Sequence, residues 1–189
     1  LAGQAMRHKD LKVFFFDRHR GAEIFTRAVK GAYVGFDGDE KNVSLNPFDA
    51  APTPNNRAFL RRWMKSITMV DDALSEREIA RAVTTAFDYL RPEERVMSNL
   101  YKSCFSPTGN MRRELFRWVN PDQYGKIFNA TNDSLDLHSK RFIAFDFTHI
   151  FEDETLAPAV ISYIMHRIQS ETGETGVPSL IMIDETAPM

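Results

Sequence analysis

Ser179-Leu180-Ile181-Met182-Ile183-Asp184-Glu185 is the stretch on which the fold turns. Four consecutive apolar residues between a small residue and two acids read as a strand buried on both faces, and such strands belong to parallel sheets. Its place is predicted at the sheet centre. Two adjacent carboxylates then leave the strand at its C-terminal end, the edge where open α/β sheets bind ligands.

Working outward, other apolar runs supply the rest of a sheet. Leu11–Phe16 is a β-rich run closed by Asp17 and the turn 17–21. An amphipathic helix follows, predicted to turn Ile24, Phe25 and Ala28 to one side and to end at Gly31 as the C′ residue. Short strands are expected at 32–36 and 43–45, around the turn signal Asp37-Gly38-Asp39. From Pro54 to about Val119 the texture is helical. Phe59, Leu60, Trp63, Met64 and Ile67 recur at helical spacing behind a cap at Asn55 or Asn56. Ser75-Glu76-Arg77-Glu78 matches a capping box ahead of Ile79, Val83, Ala86, Phe87 and Leu90. Pro92 suits a first turn, and Met111–Val119 is a further short helix. Strand character returns at Gly125–Asn129 and at Arg141–Phe147. A helix from about Leu156 to Gln169 then leads to the acidic strand. The pattern predicts an α/β fold with residues 1–53 and 121–189 as its core and residues 54–120 as an inserted helical subdomain.

Composition narrows the class. A hydrophobic content of 43% and a charged content of 26% are those of a soluble globular chain, and 189 residues can bury a sizeable core. The net charge of −2 gives no overall pull toward nucleic acid or an anionic membrane, although a local basic face remains open. One cysteine, Cys104, excludes an internal disulfide framework. No apolar run approaches the ~20 residues that span a bilayer. Leu1 is not an initiator, residues 1–6 resemble the tail of a helix, and the chain stops directly after the acidic strand. Both ends read as those of a piece of a larger protein.

In nucleotide hydrolases of the P-loop type, an acid at the end of a central strand supports Mg²⁺, and a following Glu polarises the attacking water. Such enzymes also need Gly-x-x-x-x-Gly-Lys-Ser/Thr, whose backbone N–H groups and lysine cradle the phosphates. The only Gly-Lys pair, Gly125-Lys126, is followed by Ile127, and Asn120 stands where the first glycine belongs. The acidic strand without a phosphate loop predicts a chain that does not turn over nucleotide by itself.

Lys12-Val13-Phe14-Phe15-Phe16-Asp17-Arg18-His19-Arg20-Gly21-Ala22-Glu23-Ile24-Phe25 resembles the segment after the phosphate loop in the large ATPases of type IV secretion and conjugation, the VirB/TrbE/CagE class. Leu45–Phe48, Pro54–Leu60, Asn132–Leu137, Tyr163–Ile168 and Ile181–Glu185 are similar to that family in the same order. The resemblance implies part of a RecA-like P-loop NTPase domain that uses ATP and Mg²⁺. It assigns Asp184 to Mg²⁺ through water and Glu185 to the general base or water-positioning role. Asp17 becomes a candidate for orienting water or Mg²⁺, or simply a turn-forming residue. Arg20 and Arg167 become candidates for phosphate or subunit contacts, or surface ion pairs. It further implies other type IV secretion subunits as partners, among them envelope components and partner ATPases. A hexamer, a place at the cytoplasmic face of the bacterial inner membrane and possible DNA contact also follow from it. The chain by itself is expected to hold neither ATP nor Mg²⁺.

Other clusters are less specific. Arg57, Arg61, Arg62 and Lys65 share a helical face, as do Arg112, Arg113 and Arg117; each reads as a solvated face or as a patch for DNA or a partner. His8, His19, His138, His149 and His166 lack zinc spacing. Trp63 and Trp118 are expected to pack in the helical block, and Asp146 to bond a backbone amide. Two further readings stand beside the ATPase one. The block 54–120 could be a module that docks secretion partners, or Asp17, Asp184 and Glu185 could ligate two ions in a metal-dependent hydrolase or nuclease.

Overall fold

The computed structural model describes residues 2–36 and 43–184. In chain order the elements are α1 (Ala2–Ala5), β1 (Lys12–Asp17), α2 (Glu23–Ala28), β2 (Ala32–Val34), α3 (Pro54–Thr68), α4 (Ala73–Asp88), α5 (Met97–Cys104), α6 (Asn110–Val119), α7 (Gly125–Phe128), β3 (Phe142–Asp146), α8 (Leu156–Thr175) and β4 (Ser179–Ile183). Short 3₁₀ turns occupy Pro47–Asp49 and Pro92–Glu94. The expected turn at Asp37–Asp39 and the residue Glu185 lie outside the described residues. The chain divides into two compact units, Leu1–Asn42 with Asp136–Met189, and Val43–Leu135.

The first unit is a mixed α/β layer built on one parallel sheet of order β2-β3-β1-β4. β1 is central, and its Val13, Phe14, Phe16 and Asp17 are buried on both faces. Phenylalanines fill one side: Phe16 lies 5.2 Å from both Phe145 and Phe147, and Phe147 lies 5.2 Å from Phe151. On a second cluster Phe142, Ala144, Val13, Ala22 and Ala5 pack together, with Phe25 meeting Phe142 edge-on at 5.3 Å.

β4 is parallel, as its apolar run predicts, but it is not central. Among the described residues it pairs with β1 alone, and it is not buried on both faces as expected: Leu180, Ile181 and Met182 are half-buried and Ile183 is 58% exposed. A continuous apolar run reports two apolar faces; it does not report how many strands flank the backbone.

Helix α2 is rotated from its expected setting. Ala22 and Thr26 form its buried stripe, while Ile24 is 83% exposed and Ala28 is exposed too. Ile24 and Ala28 do share a face, four residues apart, but it is the solvent face. The helix ends in a Schellman motif, Gly31 N–H to Thr26 O at 2.8 Å and Lys30 N–H to Arg27 O at 3.0 Å. The left-handed C′ residue is therefore Lys30 (φ 56°), not Gly31. Gly31 is needed for another reason: a Cβ there would sit 2.5 Å from the Phe142 carbonyl oxygen.

The second unit is helical. Thr53, not Asn55 or Asn56, caps α3, accepting the Asn56 N–H at 3.2 Å with Pro54 in the first position. Asp72, not Ser75, caps α4, accepting the Ser75 N–H at 2.9 Å. Phe59, Leu60, Trp63, Met64 and Ile67 are buried as their spacing predicts. Trp63 and Trp118 meet edge to face at 6.1 Å, with Phe128 5.2 Å from Trp63 and 5.6 Å from Trp118.

Two expected strands are absent here. Residues 43–45 form no strand, although Leu45 N–H bonds Ile127 O at 2.6 Å. Gly125–Phe128 is the single turn α7, with both Ile127 and Phe128 buried. So short an apolar run carries no period, and packing decides its conformation. Helix α8 outlasts its expected end at Gln169 and stops at Gly176 (φ 65°).

Candidate functional site at the carboxyl edge of the sheet

Parallel register determines which residues meet at the carboxyl edge. Asp17, the last residue of β1, pairs with Asp146, the last of β3. Phe16 pairs with Ile183, and Asp184 continues that ladder by donating its N–H to Phe16 O at 3.0 Å. Asp146, Asp17 and Asp184 thus form one row across β3, β1 and β4.

The three acids have different surroundings. Asp17 is fully buried, and its Oδ2 accepts the Ala22 N–H and the Tyr33 hydroxyl, each at 2.9 Å. Its Oδ1 is buried with no partner among the described residues. Burial, and then the hydrogen bond to Asp17 with the nearby charge of Asp146, push the Tyr33 phenol well above its ordinary range, so it stays a neutral donor. Asp146 Oδ1 accepts the Thr148 N–H at 3.0 Å, the amide bond its sequence position predicts. Asp184 is half-buried.

The turn after Asp17 is held in an uncommon conformation. His19 (φ 72°) and Arg20 (φ 60°) are both left-handed, and His19 N–H donates to Thr148 Oγ1 at 3.1 Å. Without a glycine at either position this backbone is costly, and the Asp17–Ala22 and His19–Thr148 bonds hold it. Arg20 projects from the turn, 58% exposed, bonded to Glu23 at 3.0 Å and lying 3.6 Å from Asp146. The structure therefore brings Asp17, Arg20 and Asp184 to one edge. Arg167 is elsewhere: it follows Leu156 by eleven residues, about 16 Å along α8, and donates to the Tyr163 hydroxyl at 3.2 Å.

Sequence reasoning missed Tyr33 and Thr148 as partners of this edge, and Asp146 as a member of the row. Asp146 carried a usable signal, because it closes an apolar strand just as Asp17 does. Among the described residues no three His, Cys, Asp or Glu side chains are arranged to hold a metal ion directly. The row does present the half-buried carboxylates of Asp146 and Asp184, hard oxygen donors that suit Mg²⁺ held through its water shell, with the orphaned Asp17 Oδ1 buried between them.

An all-parallel sheet with helical crossovers defines an α/β domain, and its row of acids stands at the edge where such folds bind ligands. No family model matches the chain. It is 32% identical to the type IV secretion system protein virB4 of Bartonella henselae, over 98% of this chain and 24% of that protein. The corresponding protein of Bartonella quintana is 30% identical over the same shares, and the conjugal transfer protein TrbE of Rhizobium radiobacter is 26% identical over 98% of this chain. The solved structure of VirB4 of Thermoanaerobacter pseudethanolicus superposes with a TM-score of 0.75, covering 97% of this chain and 77% of that one at 14% identity. By sequence and by fold, the chain is homologous to the VirB4/TrbE family of type IV secretion proteins. It spans about a quarter of the length of the curated relatives it matches.

Proposed function

We propose that this chain is part of the ATPase motor domain of a type IV secretion or conjugation system, with a RecA-like P-loop NTPase core. The observation that carries the reading is the row Asp146–Asp17–Asp184 at the carboxyl edge of a parallel sheet, in a chain homologous to VirB4 over nearly all its length. Asp184 supports Mg²⁺ through water, and Glu185 beside it in sequence polarises the attacking water. Asp17 lies buried at the same edge, and its unpartnered Oδ1 would orient water or Mg²⁺ only once the turn above it opens. Mg²⁺ bound there would supply charge neutralisation for the nucleotide phosphates. Arg20, exposed on the same edge, reaches phosphate or a neighbouring subunit, and Arg167 serves an interface.

Residues 1–189 contain no Gly-x-x-x-x-Gly-Lys-Ser/Thr motif. The phosphate cradle is on this reading supplied by other parts of the longer protein, so the chain alone binds no nucleotide. ATP hydrolysis in the whole protein drives assembly or substrate transfer, in company with other secretion subunits and as a hexamer. Among the described residues no helix is long and apolar enough to cross a membrane. We place the whole protein at the cytoplasmic face of the inner membrane.

The test uses a longer chain that includes a phosphate loop. Mg-dependent ATP hydrolysis is expected, and Glu185→Gln is expected to abolish it while nucleotide binding persists. Unchanged turnover in that variant removes Glu185 from its role. Tight nucleotide binding by residues 1–189 alone, measured by calorimetry, shows the phosphate site to be misplaced.

A further inference from the structure

The helical unit carries a surface that the ATPase reading does not use. Between Lys102 and Lys126 stand five basic and two acidic side chains, a local net charge of +3 in a chain of net −2. Helix α6 concentrates them. Arg113, Phe116 and Arg117 lie on its outer stripe at helical spacing, and Phe116 is 53% exposed although the other apolar residues of the helix core, Met111, Leu115 and Trp118, are sealed. Two shallow grooves meet along this stripe, one running beside Tyr124, the other beside Tyr101 and Arg112, and Arg113 and Phe116 line both.

The walls of the grooves are set in advance. Arg112 stacks over the Tyr101 ring at 4.6 Å and donates to the carbonyls of Phe105 at 3.3 Å and Lys102 at 3.5 Å. Tyr124 packs on Trp118 at 4.8 Å. Arg113 donates to Glu114 at 3.2 Å and Arg117 lies 3.6 Å from the same carboxylate, so both guanidinium groups stand on the stripe that carries Phe116. An exposed aromatic ring beside arginines has the composition of an interface hot spot.

We propose that this α6 face docks an acidic segment of a partner protein that inserts one apolar side chain beside Phe116 while its carboxylates meet Arg113 and Arg117. Charge complementarity selects the acidic partner. A protein is favoured over nucleic acid because Arg112 covers Tyr101 and Tyr124 packs on Trp118, so Phe116 is the one largely exposed ring of the patch and gives no ladder for successive bases to stack on. The proposal is independent of the nucleotide site.

Panning random phage-displayed peptides on the immobilised chain tests it, followed by fluorescence anisotropy with the enriched peptides. Enrichment of sequences with Asp or Glu flanking a Leu, Phe or Trp is expected. Their binding should weaken about tenfold or more in Phe116→Ala and in the Arg113→Gln, Arg117→Gln double variant. It should survive in Phe116→Leu and in Arg61→Gln, Arg62→Gln, all variants being checked for native circular dichroism. Absence of acidic–apolar enrichment, or binding indifferent to Phe116 and the two arginines, overturns the proposal. So does oligothymidylate that binds more tightly than the peptides and is lost in the same variants.

Discussion

Asp17 and Asp146 end neighbouring strands in matched register, yet only Asp17 is sealed from water. The difference follows from what comes next in the chain. After Asp17 the left-handed pair His19-Arg20 folds the backbone over the carboxylate and delivers the Ala22 N–H to it. After Asp146 the chain supplies only the Thr148 N–H and leaves the carboxylate within reach of Arg20. One acid thus organises the edge from beneath, and its neighbour stays half-buried beside Arg20.

Removing the Asp17 carboxylate is therefore expected to cost stability, whatever it does to nucleotide chemistry. Asp17→Ala strands a buried N–H and the Tyr33 hydroxyl, a loss of about 2–4 kcal/mol. Asp17→Asn keeps an acceptor and should lose about half as much. Urea denaturation of the two variants checks this. Equal losses, or none, would mean that the bonds to Ala22 and Tyr33 do not hold the turn.

Legibility in the sequence followed the strength of periodic pattern. Strands β1, β3 and β4 and helices α3, α4 and α8 were readable because apolar runs or helical spacing persist over many residues. The α7 turn was not, since Phe128 is buried against the Trp63–Trp118 pair and no local pattern encodes that. Caps slipped for a related reason: Thr53 and Asp72 each stand three residues before the amide they accept, and nearby Asn55, Asn56 and Ser75 have the same chemistry. At the site, Asp17 and Asp184 were legible as acids ending strands. Their alignment with Asp146 needed the strand order, which a sequence does not carry, and Tyr33 reaches Asp17 only across the sheet.

Helix α2 offers a paired test of backbone geometry. Gly31→Ala pushes a Cβ to 2.5 Å from the Phe142 carbonyl oxygen, which lies in the sheet and cannot yield cheaply. A loss of about 2–3 kcal/mol is expected. Lys30→Gly should act oppositely, gaining about 0.5–1 kcal/mol by relieving a left-handed lysine at the C′ position. Thermal midpoints moving in opposite directions confirm the Schellman geometry; a neutral Gly31→Ala would contradict the close approach.

Acid sensitivity is expected at the start of α4. The side-chain and backbone bonds of Ser75 hold the Asp72 carboxyl below the usual carboxylate range, so its folded pKa is depressed relative to the unfolded chain. Its contribution is therefore complete above about pH 4 and is lost as pH falls through the lower folded value. Asp72→Asn retains a capping oxygen but does not titrate. The stability difference between the natural chain and this variant should be constant near neutrality and shrink as the solution is acidified. A difference that grows on acidification reverses the sign and sinks the assignment.

The opposite edge of the sheet supplies a buried ion pair whose two halves are not equivalent. Lys12 Nζ lies 2.9 Å from Glu171 Oε1, with side-chain exposures of 11% and 6%, and His138 Nδ1 approaches the same oxygen at 2.9 Å. Glu171→Leu leaves the Lys12 ammonium buried without its carboxylate and should cost about 3–5 kcal/mol. Lys12→Met should cost less, because Glu171 keeps His138. The double variant replaces both charges with apolar volume and is expected to recover much of the Glu171→Leu loss. A double-mutant cycle by urea unfolding reads the three values together. If the double variant is less stable than Glu171→Leu alone, the pair is a net stabiliser and not a mutually compensated burial of charge.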